Sequence, residues 1–322
     1  MTQVRSRLAP ARRSKGRDLT RGSLHRAIWY LAPAMMLELG VLNIAQVLDA
    51  YWVGRLGSAA LAAVTICSTV RWVLNSLANG LGTGGMAVVA RRVGARDEEV
   101  AAHAAGQTIL LGIGASLLVG GLGLAVSRPL LILLGAGADV LPLALAYLRV
   151  SLLGIWTLVL SFVINSILRG AGEARWSMRV LMVSTVTTVL LEPVLILGLG
   201  PVPPLGVVGS AWAFVAGYAA GLVLQAIILV QGRARIRIHL HHLRPDFSLI
   251  RQVIGIALPS TVQMTLRSSS RLAILVLVGF YGTYATAGYG VANRLLLIAL
   301  IPCFGLGNVA STLVGQNLGA GQ

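Results

Sequence analysis

"VGRLGSAALAA", residues 53–63, returns in altered form as "VGFYGTYATAG" at 278–288. The likeness continues: "GLGTGG" (80–85) falls on "GLGNVA" (305–310), and "VARRVGAR" (89–96) on "VGQNLGAG" (314–321). One offset, 225 residues, places Gly57 on Gly282, Ala62 on Ala287, Gly80 on Gly305, Gly82 on Gly307 and Gly94 on Gly319. Pro33 and Pro259 match with a slip of one residue. Self-similarity at a fixed offset means that two parts of the chain are built alike.

What is repeated is apolar. Of 322 residues, 56% are hydrophobic and only 11% charged, too few charges for a soluble domain of this size. The 38 glycines suit helices that pack closely in a bilayer. A bilayer core needs about 20 apolar residues per helix, and eight runs qualify: 27–53, 58–90, 100–126, 140–168, 177–199, 206–230, 249–281 and 286–316. The connectors carry turn chemistry, as in "GRLGS", "GARDEE", "GAGAD", "RGAGEAR" and "GPVPPLG".

The net charge of +16 is distributed by side. Eight of the 26 basic residues precede the first run; Arg91, Arg92, Arg96, Arg169, Arg175, Arg179 and five in 233–251 lie at alternate ends of successive runs. The opposite ends hold Arg55 and Arg128. This positive-inside pattern places the N-terminus in the cytoplasm and argues against a nucleic-acid partner. The expected localisation is a bacterial or archaeal plasma membrane.

Six helices separate the start of one repeat copy from the next. The fold expected is an all-α integral membrane protein with a basic lead (1–26), a complete six-helix lobe (27–230), a cytoplasmic inter-lobe loop (231–248) and the first two helices of a second lobe (249–322). Two full copies would make twelve helices, so the chain reads as cut off after its eighth.

The ordered set "P…D…VGRLG…ALAA…GLG.G…ARRVGARDEE", then "NSILRGAGEARWSM" (165–178) and "LLEPVLILGLG" (190–200), resembles the multidrug and toxic compound extrusion (MATE) family. More narrowly it resembles the prokaryotic branch that includes the DNA-damage-inducible transporters. The likeness runs from about Arg21 to the last residue. It implies two six-helix lobes around a central cavity, working by alternating access.

Three acids fall inside the runs: Glu38, Asp49 and Glu192. Charges in a bilayer are costly and mark functional sites. Asp49 lies ~9 Å and Glu192 ~12 Å from the outer ends of their helices at the α-helical rise. Two carboxylates at similar depth can exchange a proton or hold a hard cation between oxygens, and Pro193 kinks the helix beside Glu192. The family resemblance implies a cation site with an Asp at the position of Asp49 and another at that of Glu192, with an Asn one turn earlier. Here Glu192 is a methylene longer and the earlier residue is Thr188, departures that a proton relay tolerates better than a sodium cage. Protons are therefore expected as coupling ion, with sodium at Asp49 and Glu192 as the alternative.

Gln46, one turn before Asp49, can donate to its carboxylate. Asn165 occupies the position of a family cavity residue. Glu38 faces the same way as Asp49, about 20° round the helix, as a second polar station or the partner of an arginine. Arg71, Arg149, Arg267, Arg271 and Arg294 also lie within runs, and Arg267 and Arg271 are one turn apart with no acid in their helix. That pair points to an anionic cargo or to the acids of the first lobe.

"HLHHLRPDF" (239–247) has histidines but no Cys or carboxylate pair, so no metal site is expected there. The basic loop suits anionic headgroups. No phosphate-cradling glycine loop and no hydrolase constellation occurs, so neither an enzyme nor a cofactor is expected. Cys67 and Cys303 read as buried small residues. The function expected is a secondary antiporter exporting small organic compounds for protons or sodium. The alternatives are a flippase for an anionic lipid-linked cargo and an inactive or regulatory membrane fragment.

Overall fold

The computed structural model describes residues 24–198, 203–232, 234–279 and 283–321, and all regular structure among them is helical. In order these are α1 (Leu24–Gly54), α2 (Ser58–Gly94), α3 (Glu98–Leu133), α4 (Leu141–Leu153), α5 (Ile155–Gly170), α6 (Ala174–Leu197), α7 (Val207–Val230), a 3-10 turn (Leu240–Leu243), α8 (Phe247–Gly279) and α9 (Thr283–Gly319). The helices end where local chemistry ends them. Gly57, at φ 104°, turns the chain between α1 and α2 in a region that side chains avoid. Asp97 caps α3 by accepting from the Val100 N–H at 3.2 Å, and Glu98 and Glu99 follow in its first turn, complementing the helix dipole.

The run expected as one span over 140–168 is two helices, α4 and α5, bent by 49° at Gly154. A Cβ on Gly154 would overlap the Val215 side chain, so glycine lets α7 approach at the break. The buried carbonyl of Gly154 accepts from the Thr157 hydroxyl at 2.7 Å. Among the described residues, α2, α3, α6 and α7 are each long and apolar enough to cross a bilayer, and the bent pair makes a fifth candidate. Leu117, Leu118 and Leu122 of α3 point outward, the inverse of a soluble helix.

α2 lies at the centre, packed against α3, α5, α8 and α9, while α1 packs on α6 and α9. The repeat explains these partners. Gly80 of α2 sits against Thr261 of α8, and Gly305 of α9 sits against Met36 of α1. Adding the 225-residue offset to Gly80 and Met36 gives Gly305 and Thr261, so the two contacts are copies with the partners exchanged. The same holds for Gly94 against the Gln316 backbone and Gly319 against the Arg91 backbone. Exchanged contacts of this kind define a two-fold, self-complementary joint, here within one chain.

Candidate functional site

The bend at Gly154 and the packing of α1, α2, α6 and α7 leave a cavity of about 320 Å³. Gln46 and Asp49 reach it from α1, Thr65, Ser68, Arg71, Trp72 and Asn75 from α2, Tyr147 and Ser151 from α4, Thr185 and Thr188 from α6, and Phe214 and Tyr218 from α7. Leucine, valine, isoleucine and alanine side chains form much of the remaining wall. The cavity combines aromatic walls with hydroxyls, amides and two opposite charges, the mixture expected of a binding site rather than a packing defect.

Asp49 is only 5% exposed. Its Oδ1 accepts from the Ser210 hydroxyl of α7 at 2.8 Å, which ties α1 to α7 through the acid. Arg71 donates from Nη1 to the Tyr147 hydroxyl at 3.0 Å, and its guanidinium carbon lies 4.4 Å from the Phe214 ring centroid. A cation over an aromatic face is held without being neutralised. Asp49 and Arg71 attract one another electrostatically. Glu192 is 1% exposed and lies outside the lining; neither carboxylate oxygen has a hydrogen-bond partner among the described residues. It still interacts electrostatically with both Asp49 and Arg71. The three charges form one group on α1, α2 and α6, with lone pairs on Glu192 open to a proton or a cation.

Of the residues singled out in the sequence, Asp49, Gln46 and Thr188 therefore meet in one cavity, with Glu192 behind it. The partner of Asp49 is Ser210, whereas Gln46 faces the cavity space. Thr188 donates its hydroxyl to the Ser184 carbonyl of its own helix at 3.0 Å. Asn165 is buried in α5 outside the lining, its Oδ1 without a partner among the described residues. Arg267 is exposed on α8, away from the cavity. The side chains of Glu38 and Arg271 lie outside the described residues. Arg71 was visible in the sequence as an intramembrane charge, which is the signal that could have placed it here. Ser210, Tyr147 and Phe214 carried no such signal.

The MatE family model matches residues 34–194 and 259–322, the two copies of the repeat and the helices that follow the first. The chain belongs to the MATE family. Members of this family are multi-pass membrane transporters, not enzymes. Its relatives include the probable multidrug resistance protein YoeA of Bacillus subtilis (strain 168), 28% identical over 297 residues, covering 91% of this chain and 64% of that protein. The FAD transporter of Shewanella oneidensis is 28% identical over 277 residues, covering 85% of this chain and 61% of the relative. This MATE chain thus spans somewhat less than two thirds of the length of either. Among solved structures, an outward-facing multidrug resistance MATE family transporter of the MOP superfamily aligns with a TM-score of 0.86 at 29% identity, over 95% of this chain and 67% of the other. A MOP superfamily transporter from Pyrococcus furiosus, described as having a binding pocket of reversed polarity, aligns with a TM-score of 0.87 at 29% identity and the same coverage.

Proposed function

We propose that this protein serves a secondary antiporter that exports small organic compounds in exchange for protons, with sodium as the alternative coupling ion. The observation that carries this reading is the charge group itself: Asp49 in the cavity wall, Arg71 facing it, and Glu192 with unpartnered oxygens behind. The relatives named for multidrug resistance support the cargo class. Residues 27–230 form the first lobe of this transporter, 231–248 the inter-lobe loop, and α8 and α9 the start of the second lobe. The N-terminus lies in the cytoplasm of a bacterial or archaeal cell, and the cavity then occupies the outer half of the first lobe.

The working step follows from the contacts. Ionised Asp49 holds Ser210 of α7 and balances Arg71. A proton or sodium ion arriving at Asp49 or Glu192 removes part of that balance. Arg71 then keeps only Tyr147 and Phe214, and α1 is less firmly held to α7. Two arrangements of α1 against α6 and α7 result, one per occupancy, which is what alternating access requires. Ion and cargo compete for the same wall.

A second reading, a carrier of anionic cargo, is favoured by Arg71, whose cavity position fits an anion better than exposed Arg267 does; the relative named an FAD transporter agrees with it. One experiment separates the two. In proteoliposomes with an imposed pH gradient, Asp49→Asn should abolish gradient-driven efflux of a cationic dye, and Arg71→Gln should weaken its coupling to the gradient while leaving dye binding intact. If Asp49→Asn transports like the unaltered protein, the coupling assignment fails. If Arg71→Gln instead loses transport of an anionic substrate that the unaltered protein carries, the second reading replaces the first.

A further inference from the structure

The loop between α7 and α8 does not drift at the membrane surface; it is fastened to α3. Gln107, fully buried, donates from Nε2 to the carbonyls of His242 (2.9 Å) and Arg244 (2.7 Å), and its Oε1 accepts from the Asp246 N–H at 3.0 Å. The Gly106 position lies directly against the His242 backbone. These contacts fix the 3-10 turn beside the first turn of α3, and there Glu99 Oε1 meets His241 Nε2 at 3.0 Å and His242 Nε2 at 2.8 Å. One ligand atom from each of the three lies within 4.8 Å of the others.

The surroundings are unusual for this chain. In a protein of net charge +16, this corner gathers His103, His239, His241 and His242, four of five histidines, and Asp97, Glu98, Glu99 and Asp246, four of ten acids. Glu98 is engaged by Arg235 at 3.5 Å and Asp246 faces His103 at 3.7 Å, so Glu99 is the acid left to the histidine pair. His242 is almost fully buried, whereas Glu99 and His241 face solvent, which leaves an entry path and room for water ligands.

We propose that Glu99, His241 and His242 bind a borderline divalent cation of the zinc, nickel or cobalt kind, which clips the inter-lobe loop to α3. Two imidazoles and one carboxylate with open positions suit these ions and not calcium or magnesium, which want oxygen ligands throughout. Tetrahedral bonds of the usual length separate ligand atoms by ~3.4 Å, so Glu99 Oε1 needs to open by only about half an ångström from its hydrogen-bonded spacing to each histidine, within easy reach of an exposed side chain.

His242 Nδ1 accepts the His239 backbone N–H at 3.1 Å, so the metal-free neutral ring carries its proton on Nε2 and gives it to Glu99. A cation on Nε2 moves that proton to Nδ1, where it meets the His239 N–H donor. Loading therefore releases the His239 amide while the Gln107 anchor holds the rest of the loop.

The test uses protein without a polyhistidine tag, dialysed against zinc alone, with bound metal measured directly and the cobalt-loaded form examined for ligand-field absorption. One zinc per chain is expected. Glu99→Gln and His241→Ala, both at solvent-facing side chains, should each weaken it at least tenfold, and His103→Ala should not. Hydrogen exchange at His239 should quicken when zinc is added. Less than stoichiometric uptake, binding indifferent to Glu99→Gln and His241→Ala, or equal loss in His103→Ala would each overturn the site.

Discussion

Gln107→Leu keeps the volume of a buried side chain and removes its amide, so it isolates what holds the loop between α7 and α8. Three hydrogen bonds vanish, to the carbonyls of His242 and Arg244 and from the N–H of Asp246. The His242 bond is buried, and stranding its carbonyl costs about 1–3 kcal/mol; the two part-buried bonds can be taken over by water and cost about 0.5–1.5 kcal/mol each. A middle figure of ~4 kcal/mol exceeds the gap for a hundredfold change, since about 1.4 kcal/mol is a factor of ten. Entropy recovered by the freed loop offsets some of this. Exchange of the amides in 240–246, followed by mass spectrometry on metal-free protein in detergent, should therefore speed by about a hundredfold relative to unaltered protein, while amides in α2 stay unchanged. If the loop exchanges less than about fivefold faster, Gln107 is not the anchor and the loop is held by its basic side chains instead.

The two-fold joint predicts paired behaviour. Gly94→Ala and Gly319→Ala each push a Cβ into a backbone carbonyl region of the other copy, and overpacking of this kind costs typically 1–3 kcal/mol, less the ~1 kcal/mol gained from helix propensity. The two variants should lower the thermal unfolding midpoint by matching amounts; a difference above ~1 kcal/mol would show that the copies are not equivalent. A pH effect comes from the turn between α5 and α6. There burial pushes the Glu173 carboxyl above its ordinary value of 4.5, against the opposing N–H and charge of Arg235. The folded protein thus holds that proton more tightly than the unfolded chain, so stability falls as pH rises from the unfolded value through the folded one. Glu173→Gln should flatten that part of the midpoint-versus-pH curve; an unaltered slope would remove Glu173 as its source.

The helices were legible because a membrane demands apolar length and tolerates little else, so hydropathy marked α1 to α3 and α6 to α9 within four residues of their ends, except that α3 runs seven residues past the expected 126, to Leu133. The break at Gly154 was not legible: "SLLGIW" carries no strong break signal, and what requires glycine there is Val215, 61 residues away. Asp49 and Glu192 announced themselves by the cost of a carboxylate in lipid. Ser210 and Tyr147 are ordinary residues in membrane helices and become informative only through what they touch. The histidines of the loop have Asp246 close by in sequence, but that acid faces His103; the carboxylate that meets them is Glu99, 142 residues before His241. Only the fold of α3 against the loop could supply it.

The joint between the helix pairs is shared by both copies, whereas the charges are not. At the repeat offset, Asp49 corresponds to Ile274 and Arg71 to Leu296. A seam that looks the same from either side stores no preference between leaning one way and leaning the other. Any preference has to come from what one copy has and its twin lacks, which here is the carboxylate and guanidinium of α1 and α2. Duplication made a symmetric joint, and divergence placed the charges on one side of it.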